Sequence, residues 1–290
     1  TGEDTFDLGT QHTFRLAAEY RHNSVNTTPY AGGTISYDVL STSGMWSWRI
    51  SPTLSLTNAL RLDQLALHRG GNVPANYPLT NSDWNRAKTE VSFNSGLVWK
   101  ESEQDTLRLI ASRGVQLPNL ANLGAFIVDV PYLHLTGTPF LGATTVSNFE
   151  VDWDRDLPTL SARARASIFV QHSDNLITAD SGVIPIQGGA YITPIGIGDS
   201  DAEGLELSAN GSFDDEWRWS LSYRAEFILD KFSVIGADGK KYSDYEHTTP
   251  KHSIKASLGW THGAWEADAF LGYQTKMSGL LPLGYGSTLV

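Results

Sequence analysis

The sequence contains no cysteine, which excludes disulfide bonds, thiolate zinc sites, iron–sulfur clusters and a cysteine nucleophile. It also lacks an excess of positive charge, because 21 lysines and arginines stand against 32 aspartates and glutamates, giving a net charge of −11. Nucleic-acid-binding proteins present basic surfaces, so the composition argues against that class. Charged residues make up only 18% of the 290 residues, whereas glycine occurs 27 times and tryptophan 9 times. Such a composition is typical of strands and loops rather than of a disordered chain.

No long apolar helix is encoded either. The longest uncharged run, residues 130–149, has the length of a membrane-spanning helix, but Pro131, Gly137 and Pro139 would break a helix there. We therefore expect this run to be a loop. The chain starts with Thr1 rather than with methionine, and we interpret residues 1–290 as a single partial domain of a longer protein.

The strongest feature that is present is alternation of apolar and polar residues. Successive side chains of a strand point to opposite faces, so a period of two predicts strands with one apolar and one polar face. The pattern is clearest in residues 160–171 and 217–229. It predicts about eleven strands, near residues 14–21, 35–50, 54–62, 90–100, 107–112, 147–153, 160–171, 205–213, 217–229, 254–261 and 265–274.

The connections between these strands alternate in length. Short links are predicted near residues 51–53, 101–105, 154–159, 214–216 and 262–264, and long loops at 69–85, 115–145, 179–201 and 231–250. Short turns at one end and long loops at the other are typical of an outer-membrane barrel. The predicted fold class is therefore all-β, an antiparallel transmembrane β-barrel with a polar lumen.

Tryptophan positions agree with this interpretation. Eight of the nine lie within a few residues of a short turn, and Trp84 alone lies by a long loop. Indole rings collect at membrane–water interfaces. We therefore predict eight membrane-interface aromatics, at Trp46, Trp48, Trp99, Trp153, Trp217, Trp219, Trp260 and Trp265. A soluble sandwich or propeller also alternates, but neither gives a reason for tryptophan at one end only.

The chain resembles the barrel of TonB-dependent outer-membrane receptors. The resemblance rests on several short stretches in the family's order: residues 57–63, 107–120, 149–151, 166–169, 174–177, 203–207 with Gly-Leu-Glu, and 249–252 with Pro-Lys-His. Barrels of these transporters have 22 strands and a plugged lumen. About eleven strands would form an incomplete barrel, and residues 1–290 show no sign of the plug domain, the energy-coupling box or the final strands.

The resemblance implies a bacterial outer-membrane protein in contact with membrane lipid. Its implied function is energy-coupled uptake of a scarce extracellular ligand, most often a ferric siderophore. The implied partner is an inner-membrane TonB-type complex, reached through the missing plug. Three alternatives stay open: a passive porin-like channel, an outer-membrane enzyme with a rim site, and a soluble β-protein.

No catalytic motif occurs, so we expect no enzyme, and no cofactor is implied. No metal site is predicted: the histidines are scattered, and Asp199, Asp201 and Glu203 lack the closing glutamate of a calcium loop, which favours a solvated acidic turn. Lumen-facing arginines are expected to pair with carboxylates on neighbouring strands.

Ligand contacts are predicted at the outer rim, because long loops on a rigid frame usually carry function. Arg113 is expected to end a lumen-facing row at a loop mouth. Tyr132 and His134 lie in the longest loop, 115–145, and Tyr191 lies in the loop 179–201. Arginine and aromatic side chains dominate binding hot spots.

Overall fold

The computed structural model describes residues 1–26, 33–73, 79–124, 126–130, 133–186, 189–233, 244–278, 284–285 and 288–289. In this part of the chain, no helix is long and apolar enough to cross a membrane.

Strands dominate the fold. In chain order they are β1 (Gly2–Leu8), β2 (His12–Asn26), β3 (Gly33–Arg49), β4 (Leu54–Gly71), β5 (Arg86–Lys100), β6 (Asp105–Gln116), β7 (Phe126–Val130), β8 (Leu133–Thr136), β9 (Thr144–Leu157), β10 (Ala162–Ile186), β11 (Gly189–Phe213), β12 (Trp217–Phe232), β13 (His252–His262), β14 (Trp265–Gln274), β15 (Met277–Ser278), β16 (Gly284–Tyr285) and β17 (Thr288–Leu289). The helical elements are short: α1 (Leu120–Gly124), α2 (Tyr245–Thr248) and two 3₁₀ helices (Asn81–Trp84 and Pro158–Leu160).

Twelve long strands form one antiparallel sheet in the order β1-β2-β3-β4-β5-β6-β9-β10-β11-β12-β13-β14. Strands β7 and β8 leave this path, and β8 pairs in parallel with β11. The predicted antiparallel all-β class is confirmed. The count differs by one, because β1 was not predicted: it has only seven residues and three of them are acidic.

The predicted loop 179–201 is wrong. Residues 179–186 and 189–201 belong to the outer halves of β10 and β11, which have 25 residues each and pair with one another as far as Ile186 and Gly189. The predicted loop 115–145 in turn contains α1, β7 and β8. A short link follows at each of the five predicted places, but the one predicted at 154–159 lies at 158–161, because residues 154–157 belong to β9.

The register keeps each kind of residue on its own face across many strands. On what we call the outer face, Leu109 pairs with Val151, Val151 with Ile168, and Ile168 with Leu205. The neighbouring row, on the inner face, runs from Arg108 through Asp152, Ser167 and Glu206 to Arg224. Large apolar side chains stay exposed on the outer face, with Ile168 at 61% and Leu60 at 58%. The sheet therefore has an apolar outer face and a polar inner face.

A substitution pair on β11 tests this assignment. Leu207 lies on the outer face and the adjacent Ser208 on the inner face. In the protein reconstituted in lipid, we expect Leu207→Arg to lower the free energy of unfolding by about 2–4 kcal/mol if the site lies at the bilayer midplane. Ser208→Arg should cost far less, because its side chain enters a polar space. Urea unfolding in lipid vesicles measures both, and equal losses would contradict the assignment of faces.

Candidate functional site

The inner face is apolar at one end of β3 and β4, where a polar lumen is predicted. Val39 pairs with Leu65, and further along the same face Leu67 pairs with Tyr37 and Ile35 with Arg69. The four aliphatic residues are buried, with exposures between 0% and 2%. Leu65 and Leu67 follow Asp63 on β4 at a spacing of two, and Asp63 pairs with Ser41 on the inner face. The apolar patch therefore lies on the inner face as well. Its side chains require a cover of their own.

The cover comes from residues 117–124 and 136–143, which we call the lid. Leu123 of α1 and Leu141 are buried against the inner-face patch, at 1% and 4% exposure. Trp84, from the 3₁₀ helix that follows β4, completes the cluster at 1% exposure. This is the one cluster of buried apolar side chains in the part of the chain described. It lies between the lid and the sheet, so the lid is packed against the inner face.

Hydrogen bonds hold the lid at both sides. Trp84 Nε1 donates to the carbonyl oxygen of Leu123 at 2.9 Å. At the other side, Asn175 Nδ2 of β10 donates to the carbonyl oxygen of Ala143 at 3.0 Å. Within the lid, the Thr138 backbone N–H donates to the carbonyl oxygen of Asn122 at 2.9 Å. Bonds at both sides and within the lid fix it to β10 as well as to the 3₁₀ helix.

Two glycines allow the close packing of the lid. A Cβ atom on Gly137 would lie 2.6 Å from the Gly124 Cα and 2.7 Å from the Ala121 carbonyl oxygen, both of them backbone atoms. A Cβ atom on Gly124 would overlap the side chain of Ile35. A methyl group at Gly137 would therefore push residue 137 and α1 apart, whereas one at Gly124 would require the Ile35 side chain to move.

The predicted rim residues fall into three situations. The pairing of β8 with β11 places His134 directly opposite Tyr191, so the backbone brings these two together although they are 57 positions apart in the sequence. The structure describes the backbone of both residues. Tyr132 lies outside the described residues.

Arg113 does not end a lumen-facing row, and that expectation is wrong. Arg113 pairs with Phe93, which itself pairs with Leu60, so it has the parity of the outer face. The β5–β6 ladder ends at this pair. The guanidinium donates to the carbonyl oxygen of Val91 and lies 3.6 Å from a Glu90 carboxylate oxygen. Arg113 therefore satisfies backbone that the ladder leaves unpaired.

Between the lid and the short links, the inner face carries a network of ion pairs. Arg61 contacts Asp63 at 2.8 Å and Glu19 at 3.3 Å. Asp154 is 2% exposed and accepts hydrogen bonds from Arg165 at 2.7 Å and 3.2 Å, while also pairing with Arg108. The expected pairing of inner-face arginines with carboxylates is confirmed for these residues. Buried carboxylates need such partners, because an uncompensated charge away from water is costly.

One group of described side chains has the composition of a metal site. Ligand atoms of His172, Asp174 and Asp199 lie within 4.8 Å of one another, on exposed or half-buried side chains. Asp199 already accepts the Asn175 backbone N–H at 3.3 Å. The acidic turn predicted at residues 199–203 is wrong, since these residues are part of β11.

The eight predicted interface tryptophans share one face and one end. Their register places all of them in outer-face rows next to the short links, for example Trp217 opposite Trp260. Trp265 is 74% exposed and Trp99 45%. Trp84, in contrast, is buried under the lid. The belt geometry is therefore present, and contact with a membrane stays a prediction.

The lid glycines generate one prediction. Gly137→Ala should weaken lid packing by about 1–3 kcal/mol, because the added methyl group meets backbone on two sides. Limited proteolysis of the protein should then cleave the lid faster. Gly70→Ala is the matched control, because a Cβ atom there meets nothing within 4 Å. Equal cleavage rates in both variants would show that the lid is not held by this contact.

The ionic network on the inner face generates a second prediction. Asp154→Ala should lower the free energy of unfolding by about 1–3 kcal/mol, because it removes the acceptor shared by two arginines. Asp156→Ala removes an exposed carboxylate 3.4 Å from Arg163 and should cost less than about 1 kcal/mol. Urea unfolding of the two variants in vesicles compares them. A larger loss for Asp156→Ala would contradict a structural role for Asp154.

Comparison with solved structures gives the same architecture. The FrpB iron transporter from Neisseria meningitidis matches with a TM-score of 0.70 at 13% identity, covering 99% of this chain and 45% of that one. The copper transporter OprC matches with a TM-score of 0.69 at 14% identity, covering 99% and 46%. The siderophore receptor PirA from Pseudomonas aeruginosa matches with a TM-score of 0.71 at 14% identity, covering 99% and 48%. The chain thus spans less than half the length of each.

No curated protein sequence matches the chain. A family model does, however: the model described as "TonB dependent receptor-like, beta-barrel" matches residues 1–286. With the two-faced antiparallel sheet already described, this match over nearly the whole sequence shows that the chain belongs to the β-barrel family of TonB-dependent receptors.

Proposed function

We propose that the chain forms barrel wall of an outer-membrane receptor that takes up a ferric siderophore with energy supplied through a TonB-type complex. The observation that carries this proposal is the family match over residues 1–286, on a sheet whose polar inner face suits a water-filled lumen. Two of the similar structures are described as an iron transporter and a siderophore receptor. A third is described as a copper transporter, which makes the ligand the point to test.

The membrane role follows from the outer face. Its exposed leucines and isoleucines suit lipid chains, and its tryptophans at the short-link end suit the interface of the periplasmic side. The inner-membrane partner would be reached through a plug domain of the same receptor, since residues 1–286 match the barrel alone. The lid would then lie at the extracellular end.

Ligand contact is proposed for the lid end as well. Tyr132, His134 and Tyr191 stay in the proposed set, and the opposition of His134 and Tyr191 supports two of them acting together. Arg113 leaves the set, because its guanidinium is engaged by Val91 and Glu90.

Uptake in cells tests the proposal. Cells that carry the full-length receptor should accumulate radioactive iron supplied as a siderophore complex, and should stop when the energy-coupling complex is inactivated. His134→Ala and Tyr191→Ala should each weaken binding of that complex by about tenfold, the loss expected for a charged or aromatic contact. Ser102→Ala, in the link between β5 and β6, is the control and should bind normally.

The outcomes separate the alternatives. Uptake that persists without energy coupling would favour a passive porin-like channel and overturn energy-coupled transport. Accumulation of copper in place of iron would keep the transport class and overturn the siderophore. Normal binding by both alanine variants would remove His134 and Tyr191 from the site.

A further inference from the structure

The outer face carries a hollow of 590 Å³ that crosses the strands from β5 to β12, and we call it the trough. It lies between two neighbouring rows of outward-pointing side chains, so its floor is strand backbone. The row nearer the short links includes Phe149, which pairs with Val170. The other row includes Ser147, whose side chain is too small to fill the space between the rows.

The trough rises from its β5 end to its β12 end. Phe93, at the first end, is the eighth residue of β5 counted from the short link, whereas Leu229, at the other, is the thirteenth of β12. With the short links at one level, this difference of five residues on strands tilted by about 40° is roughly 13 Å in height. One leaflet of the hydrocarbon core is about 15 Å thick. The trough therefore follows most of one leaflet.

The deep end of the trough is apolar. Phe93, Phe149 and Val170 line it, and all three side chains are exposed. The outer face of a membrane barrel meets lipid chains at this depth. A long apolar trough that rises through one leaflet fits a single acyl chain laid along it.

The shallow end of the trough is charged. His172 Nδ1 lies 2.6 Å from an Asp201 carboxylate oxygen, and Lys231 contacts the same carboxylate. Glu203 lines the trough next to Asp201 on the same face, and ligand atoms of Asp174 and His172 lie within 4.8 Å of one another. Within the described ranges, neither Glu203 nor Asp174 forms an ion pair. Three carboxylates against one lysine make this end negative and leave two of the three carboxylates open to a cation.

We propose that the trough binds a membrane lipid whose headgroup carries an amine. An acyl chain lies along the trough toward Phe93, and the ammonium group meets Glu203 and Asp174 at the shallow end. A phosphate next to the amine accepts a hydrogen bond from Lys231. Acids mixed with a lysine match such a zwitterion, whereas a purely anionic headgroup would face three carboxylates, and like charges across a contact are costly. The inference rests on the proposed membrane role of the outer face and is independent of the ligand that the receptor takes up.

Lipid retained by the protein in detergent tests the trough. Native mass spectrometry should show one phosphatidylethanolamine bound in preference to phosphatidylglycerol. Ser147→Leu places a branched side chain in the trough and should weaken retention by about tenfold or more, because it displaces several methylene groups of the lipid. Ala164→Leu is the matched control, since it faces outward on β10 away from the trough, and it should retain the lipid. Equal retention by the two variants would overturn the trough.

The headgroup is tested by removing charge without changing shape. Glu203→Gln and Asp174→Asn should each weaken retention of phosphatidylethanolamine about three- to fivefold, the loss expected for one exposed charge contact. Neither should weaken retention of phosphatidylglycerol. Asp156→Asn, near the short link between β9 and β10, is the control. Unchanged phosphatidylethanolamine retention by both variants would overturn the amine assignment. So would binding that is lost in EDTA, because it would replace the amine with a phosphate bridged by a divalent cation.

Failure of the trough can be told apart from failure of the proposed function. A protein that stays monodisperse in water without detergent would overturn the membrane role on which the inference rests. Lipid that is retained regardless of Ser147→Leu would overturn the trough and leave the membrane role standing. Far-UV circular dichroism of each variant shows that its strands are intact, so a loss of lipid reports the contact and not unfolding.

Discussion

Hydrogen bonding between neighbouring strands is the constraint on which the rest of this structure depends. A strand that crosses a membrane has no water to satisfy its backbone groups, so it must pair with its neighbours over the part that crosses. Pairing fixes the register, and the register decides which side chains share a face. A slip of one residue would move every outer-face side chain of a strand to the inner face. The row from Arg108 to Arg224 stays intact over five strands because no such slip occurs there.

The same constraint creates the need for the lid. Parity assigns Ile35, Val39, Leu65 and Leu67 to the inner face, where the residues nearer the short links are polar. Apolar side chains there gain stability only if chain covers them, at about 25 cal/mol for each Å² removed from water. The lid supplies that cover, and β7 and β8, between its two parts, leave the order of the sheet and return to β11. The lid is thus tied to the barrel by the hydrophobic effect and is more than a loose loop.

Much of the fold was predictable because a period of two is a local signal. Any short window of β12 reveals both faces, and the tryptophans mark one end of the strands. The extension of β10 and β11 was not predictable in this way. Residues 181–198 contain Pro185 and Pro194, which suggest a loop, but a hairpin that extends past its neighbours has free edges where proline is tolerated.

The lid could not be predicted, since its contacts join residues far apart in sequence. Leu123 and Ile35 are 88 positions apart, and α1 has only five residues, too few for a helical period to appear. The expectation that Arg113 faces the lumen was wrong for a local reason. It continues the run of Leu107 and Leu109 at a spacing of two, which is the outer-face parity, whereas a charged residue at a strand end suggests the lumen. In the structure, Arg113 lies on the outer face and its guanidinium donates a hydrogen bond to the carbonyl oxygen of Val91.

Arg113 also marks the point at which β5 loses one of its two neighbours. Pairing between β5 and β6 stops at Phe93 and Arg113, so among the described strands the outer part of β5 pairs with one neighbour alone. That neighbour is β4, and it presents Leu67 and Leu65 to Arg86 and Lys88 because those leucines serve the cluster under the lid. The inner face therefore cannot supply a carboxylate at this point without removing a leucine from the lid contact. The leucines at these positions hold the lid in place, and the same register sets them opposite Arg86 and Lys88 across the sheet.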